Sequence, residues 1–166
     1  MSKHLPGHAQ IVIVGGGVVG SSIAYQLTKA GVSDVVLLER GVLTCGTSWH
    51  AAGLIMQLRG GHATTDIAKY NAEFYPELEA DTGLATGFKQ NGTLAIGRNM
   101  DRVHEMNRRA SLAKSFGIDA HVISPKEVKD MYPALDDSFV AGGLFIPKDG
   151  QLSPVDTINA VIAGAK

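Results

Sequence analysis

The chain has 166 residues, 45% of them hydrophobic and 19% charged, with a net charge of -1. That is enough apolar content for the core of one ordinary globular domain, and the near-neutral balance excludes a large nucleic acid or an anionic membrane surface as partner. No run reaches the roughly 18 apolar residues of a membrane span, residues 1–10 contain no apolar signal segment, and the single cysteine, Cys45, allows neither an internal disulfide nor a thiolate metal cluster.

These features place the expectation in the cytoplasm, or in the mitochondrial matrix of a eukaryote. Cys45 itself reads as a small buried or half-buried filler. Glycine is the unusual residue: there are 20, well above the usual share of about 7%. They cluster at Gly15-Gly16-Gly17, Gly60-Gly61 and Gly142-Gly143, which marks turns and close backbone approaches rather than a flexible linker.

In chain order, residues 11–14 are a continuous β-branched run, the pattern of a parallel strand covered on both faces. After the glycines, Ile23, Ala24, Leu27 and Ala30 recur at helical spacing and Gly31 closes the helix. A second short apolar run, residues 35–38, ends in Glu39. Strand, turn, helix and strand occupy about 30 residues, the length of one βαβ unit. Residues 44–61 read as a loop that carries Trp49, His50, Gln57 and Arg59. Residues 65–82 read as a helix with Ile67, Tyr70, Phe74 and Leu78 along one stripe, 92–96 as a strand after an Asn91-Gly92 turn, and 101–116 as a charged amphipathic helix closed by Gly117. A short helix over 124–131 carries a capping box, with Ser124 as cap, Pro125 in the first position and Glu127 three residues on. Residues 143–146 read as a strand, and a last helix opens at Ser153-Pro154.

The spacing Gly15-x-Gly17-x-x-Gly20 has a mechanical reading. The first glycine makes a tight turn, the second lets backbone approach a pyrophosphate, and the third lets helix and strand pack closely, while the helix N-terminus offers N–H groups and partial positive charge to phosphate. Glu39 stands 19 residues after Gly20 at the end of the second strand, where a carboxylate can accept hydrogen bonds from ribose hydroxyls. An acidic residue there disfavours a 2′-phosphate, and so NADP, but leaves both NAD and FAD open. The fold expected is α/β, a Rossmann-like βαβ domain forming an incomplete doubly wound parallel sheet.

The runs Leu38-Glu39-Arg40, then Gly46-Thr47-Ser48-Trp49-His50-Ala51-Ala52-Gly53-Leu54, then Gln57-Leu58-Arg59, resemble the sarcosine and dimethylglycine dehydrogenase group within the D-amino-acid-oxidase-like FAD superfamily. The resemblance continues through residues 83–94, 124–133 and 142–154. It implies FAD as cofactor, joined covalently through the 8α-methyl of its flavin ring to His50, with a non-covalent flavin neighbour and a loop histidine without cofactor contact as the alternatives for that residue. The residues carried over to the cofactor are Val14, Gly15, Gly16, Gly17, Val19, Gly20, Glu39, Arg40, Thr47, Ser48, His50, Ala51, Ala52 and Gly53. It further implies oxidative demethylation of an N-methyl amino acid such as sarcosine or dimethylglycine, with an electron-transfer flavoprotein as a possible acceptor of electrons. Residues 1–82 would be the first part of the FAD-binding domain, 83–150 part of a mixed-sheet substrate domain, and 151–166 a helix returning to the first. An NAD-dependent dehydrogenase and a non-catalytic nucleotide-binding module are the alternatives.

Other candidates are weaker. The histidines at 4, 8, 62, 104 and 121 lack metal-ligand spacing, so no metal is expected. Arg59 could fork onto a substrate carboxylate but reads first as a surface arginine, Trp49 is as readily a packing residue as a flavin neighbour, and Asp136-Asp137 reads as a solvated turn. The doubly wound pattern is incomplete at Lys166. The expectation is therefore a piece of a longer protein, inactive alone, whose catalytic residues lie further along.

Overall fold

The structure is a computed structural model and describes residues 6–166; His4 lies outside them. Two compact units are present. The first gathers the chain up to Gly53 with Phe74–Phe88 and Leu152–Lys166, and the second gathers Leu54–Glu73 and Lys89–Gln151.

In the first unit, strand β1 (Ile11–Val14), helix α1 (Val18–Lys29) and strand β2 (Val35–Leu38) follow one another, and β1 pairs with β2 in parallel, Ile11 opposite Val35 and Val14 opposite Leu38. The βαβ reading therefore holds. Gly31, at φ +85°, lies just beyond the Ala30 cap of α1, the left-handed position that glycine takes without penalty. Coverage of β1 is one-sided. Ile13 is 8% exposed, whereas Val12 and Val14 are 54% and 84% exposed. The reason is geometric: successive strand side chains point to opposite faces, and α1 packs on the Ile13 face, where a Cβ at Gly20 would lie 3.2 Å from Ile13 Cγ2. The continuous apolar run thus does not by itself decide how many faces are covered.

The core of this unit joins Tyr25 of α1 to Phe74 and Leu78, from the second half of helix α2 (His62–Thr82), and to Ala160 and Val161 of a later helix, Pro154–Gly164. Tyr25 and Phe74 meet edge to face with centroids 5.6 Å apart, a favoured aromatic geometry. Glu79 ties down the segment after α2 by accepting from both the backbone N–H and the hydroxyl of Thr86, each at 2.6 Å. Those two bonds hold its carboxyl below the usual range.

The second unit holds strand β3 (Leu54–Ile55), the first half of α2, β4 (Thr93–Gly97), α3 (Met100–Ser115), β5 (His121–Ile123), α4 (Pro125–Met131), β6 (Gly142–Ile146) and β7 (Gly150–Gln151). The helix that follows, α5 (Pro154–Gly164), belongs to the first unit. Strands β4, β6 and β5 form an antiparallel sheet in that spatial order, and β3 pairs antiparallel with β7. Leu144 and Ile146 of β6 pack with Met106 and Ala113 of α3, Ile118 and Leu58. The capping box on α4 forms as expected, Ser124 and Glu127 exchanging side-chain and backbone bonds. α3 starts at an unanticipated cap: the Asn99 side chain accepts from Arg102 N at 3.0 Å. The stripe expected on α2 divides, since Phe74 and Leu78 are buried but Ile67 and Tyr70 are exposed, and Thr65, Ala68 and Ala72 supply the buried face earlier in the helix.

Candidate functional site

The turn between β1 and α1 is built by glycines, each for a separate reason. Gly15 has φ +106°, a conformation that side-chain-bearing residues rarely adopt, and its N–H donates to Leu38 O at 2.7 Å, extending the β1–β2 ladder. A Cβ at Gly20 would lie 1.9 Å from Gly15 O, so the start of α1 rests directly on the turn. Gly17 is the N-terminal cap residue of α1; a Cβ there would meet only Ser48 Oγ, at 3.3 Å. Gly16 is as constrained as its neighbours, because a Cβ would come within 2.7 Å of Leu43 Cδ2 and 3.1 Å of Glu39 Cβ. The spacing rule leaves that position free, so its constraint was not legible from the motif.

Glu39, at the end of β2, is brought to the turn across 23 residues. Gly16 N–H donates to its Oε2 at 2.7 Å and Gly41 N–H to its Oε1 at 2.9 Å. The Gly41 bond foremost, then that of Gly16, holds the carboxyl below the usual carboxylate range. An ionised carboxylate has about four lone-pair sites, so an oriented Glu39 retains acceptor capacity for hydroxyl donors. Arg40, beside it, is exposed, as are Val14 and Val19 flanking the turn.

The first turn of α1 contains no acidic residue, and Gly17 supplies no side-chain cap. No carboxylate therefore comes from the helix itself; the Glu39 carboxylate sits one residue before the Gly17 cap, on Gly16 N–H, and the backbone N–H groups of the first turn are a setting that favours an anion. Ser48 Oγ alone reaches in, accepting from Val18 N–H at 3.1 Å. It belongs to a 3-10 turn, Thr47–His50, inside the stretch read as loop. The rings of Trp49 and His50 stack within it, centroids 4.0 Å apart and planes inclined by 36°. Thr47, Ala51 and Ala52 are exposed and Gly53 is buried. Gly53 has φ +71°, and its carbonyl accepts from Leu152 N–H at 2.8 Å just before α5. The Trp-His-Ala-Ala-Gly run is thus fastened at one end to α1 and at the other to the lead of α5. Upstream, Thr44 has a left-handed backbone, φ 72°, the one such non-glycine residue among the described residues.

A cavity of about 240 Å³ in the same unit, lined by Ala24, Thr28, Val35, Leu37, Leu43 and Ile162, includes none of these residues. Gln57 and Arg59 belong to the second unit. Arg59 is exposed, its backbone N–H bonded to Thr65 Oγ1. Gln57 is 7% exposed, its backbone N–H bonded to the buried Asp149 carboxylate at 2.8 Å and its side-chain amide nitrogen without a partner. Cys45 is exposed rather than buried, since it sits in the surface turn after β2 with its Sγ close over Gly41. His62 pairs with Asp66 and His121 with Asp119. Among the described residues no group of three or more His, Cys, Asp or Glu is placed to hold a metal ion, and no helix is long and apolar enough to cross a membrane. Asp136 accepts from Ser138 N–H and Asp137 pairs with Lys129, the bonding of a surface turn.

A family model described as "DAO: FAD dependent oxidoreductase" matches residues 10–166. Mitochondrial sarcosine dehydrogenase of Mus musculus is 41% identical over 165 residues, an alignment covering 99% of this chain and 18% of that protein. The 4-methylaminobutanoate oxidase (formaldehyde-forming) of Paenarthrobacter nicotinovorans is 42% identical over 162 residues, covering 98% of this chain and 19% of that protein. The chain thus spans less than a fifth of the length of these curated relatives. Among solved structures, L-proline dehydrogenase from P. horikoshii superimposes with a TM-score of 0.90 at 29% identity, covering 97% of this chain and 42% of that one. With its parallel βαβ start and a family match over nearly all of its length, the chain belongs to the DAO family of FAD-dependent oxidoreductases.

Proposed function

We propose that this chain is the cofactor-gripping start of an enzyme that oxidises an N-methylated amino acid, of the sarcosine or dimethylglycine kind, with FAD held partly by a covalent bond to His50. The observation that carries the reading is the joined turn: a glycine-built helix start with no acidic residue in its own first turn, beside a Glu39 carboxylate already oriented by two backbone N–H groups. Those residues fit an ADP moiety, pyrophosphate at the N-terminus of α1 and ribose hydroxyls at Glu39. Gly15, Gly16, Gly17 and Gly20 would bring backbone close, with Val14, Val19 and Arg40 at the margins. Thr47, Ser48, Ala51, Ala52 and Gly53 would line the path to the ring system, and His50 would tether it.

FAD when bound supplies the redox chemistry, accepting a hydride equivalent from the carbon beside the substrate nitrogen. The chain's own part is to bind and orient: the α1 terminus neutralises phosphate, Glu39 accepts from ribose, and the clamped 3-10 turn holds an imidazole in place. Oxidation at the N-methyl carbon leaves an iminium that water converts to formaldehyde and the demethylated amine. This product class agrees with the formaldehyde-forming name of the relative from Paenarthrobacter nicotinovorans. An electron-transfer flavoprotein is a fitting acceptor for the electrons, and a soluble compartment, the matrix in a eukaryote, a fitting location.

The experiment uses the full-length protein. Anaerobic sarcosine or dimethylglycine should bleach the bound flavin, and a denaturing gel should show flavin fluorescence on the protein band. His50→Ala should lose that fluorescence while still binding FAD. Flavin that leaves the wild-type protein on denaturation would refute the tether, and the lack of any bound flavin would refute the cofactor.

A further inference from the structure

The Trp49–His50 pair is unusual for its position. In a 3-10 helix successive side chains diverge by about 120°, since there are three residues per turn. Consecutive rings therefore do not meet unless both rotate toward each other. Here they do, at 4.0 Å between centroids. Trp49 takes no part in either apolar cluster and is 56% exposed, so the large indole is not spent on the core. Its ring lies against the imidazole, the two planes inclined by 36°.

The backbone beneath is fixed on both sides, by Ser48 Oγ on Val18 N–H and by Gly53 O on Leu152 N–H. With the turn clamped, the remaining freedom of His50 lies in its own side-chain torsions, and the indole restricts those. An exposed imidazole on an unrestricted side chain would sample several staggered rotamers. Holding one of them is the kind of preorganisation that speeds bond formation without altering the strength of binding.

We propose that Trp49 is a positioning residue for attachment of FAD to His50, acting by holding the imidazole ring ready for the reaction. The inference rests on the tether reading of His50. In the attachment, an imidazole nitrogen bonds to the 8α carbon of the flavin. That carbon gives up one hydrogen and the imidazole its N–H hydrogen. The two electrons and two protons are taken up by the ring system, and dioxygen removes them as hydrogen peroxide.

The test is the rate of covalent incorporation when FAD is added to full-length apoprotein in air, read as flavin fluorescence on the denatured band, beside the dissociation constant of FAD measured before attachment. Trp49→Leu keeps apolar bulk but removes the flat face, and it should slow attachment roughly 10- to 100-fold with FAD affinity little changed. Trp49→Phe, which restores a flat face, should recover most of the rate. Attachment in Trp49→Leu at the wild-type rate would overturn the inference. So would loss of FAD binding in both variants, because Trp49 would then be holding the cofactor and not the histidine. Wild-type protein without attached flavin would instead overturn the tether reading, so the two failures are distinguishable.

Discussion

Glycine clusters stand at the β1–α1 turn and in β6 and do different work in each place. At Gly142-Gly143, in β6, a Cβ would press on Val103 of α3 at 3.1 Å in the first case and on Val128 of α4 at 2.7 Å in the second. Those glycines let helices settle against the sheet, and the backbone around them is used up in strand pairing. At Gly15–Gly20 glycine also removes clashes, but the helix start it creates has no acidic residue in its first turn and lies beside the oriented Glu39 carboxylate. A glycine cluster marks close packing in both places. It suits a binding site only where the polar groups it uncovers are left available to a ligand, as proposed for the turn at Gly15–Gly20.

That contrast can be broken by substitution, and the largest effect is expected at Gly20. A methyl group 1.9 Å from Gly15 O cannot be accommodated without moving α1. Gly20→Ala should cost about 3 kcal/mol or more, since overpacking a tight contact forces backbone shifts, and should abolish FAD binding. Gly143→Ala, pressing on the end of the Val128 side chain, should cost about 1–3 kcal/mol and leave FAD affinity unchanged. Thermal melts and FAD titration of the two variants, side by side, check the pair; equal loss of FAD in both would erase the distinction.

Glu39→Gln is next. The amide must turn an N–H₂ group toward Gly16 or Gly41, leaving one backbone donor without its acceptor and the ribose with a poorer one, so FAD should bind roughly tenfold more weakly. The sign with pH follows from the depressed carboxyl. Its contribution is complete above the ordinary carboxylate range and is lost only as pH falls through the lower folded value. Wild-type affinity should therefore stay flat from neutral into mildly acid solution before it declines, and Glu39→Gln should lack that component of the acid limb. Thr44→Gly, which relieves a β-branched residue at φ 72°, should have the smallest effect, a stabilisation of less than about 1 kcal/mol once glycine's extra unfolded-state freedom is subtracted. A melting temperature below wild type would show that Thr44 makes contacts worth more than its strain.

The βαβ start was legible because its signals are local: a β-branched run, a glycine turn, helical spacing and an acidic strand end within about 30 residues. The capping box of α4 was legible for the same reason. What escaped the sequence is long-range or too short for a period. Strands β3 and β7 have two residues each, too few to alternate. The bond from Val18 N–H to Ser48 spans 30 residues and that from Gln57 N–H to Asp149 spans 92, and no spacing rule reaches so far. The exposure of Val12 and Val14 was hidden because an apolar run looks the same whether one face or both are covered. The residues proposed to hold FAD could be named from the sequence as a set; the bonds that flank Trp49-His50, from Val18 N–H to Ser48 and from Leu152 N–H to Gly53, could not.

The central claim, that the turn and Glu39 grip the ADP portion of FAD, is tested most directly by titrating full-length apoprotein, prepared as His50→Ala so that attachment cannot intervene, with FAD in the presence and absence of excess NAD. The account predicts saturable FAD binding that NAD does not displace and that Glu39→Gln weakens. Binding of NAD in preference to FAD, or FAD affinity indifferent to Glu39, would contradict it.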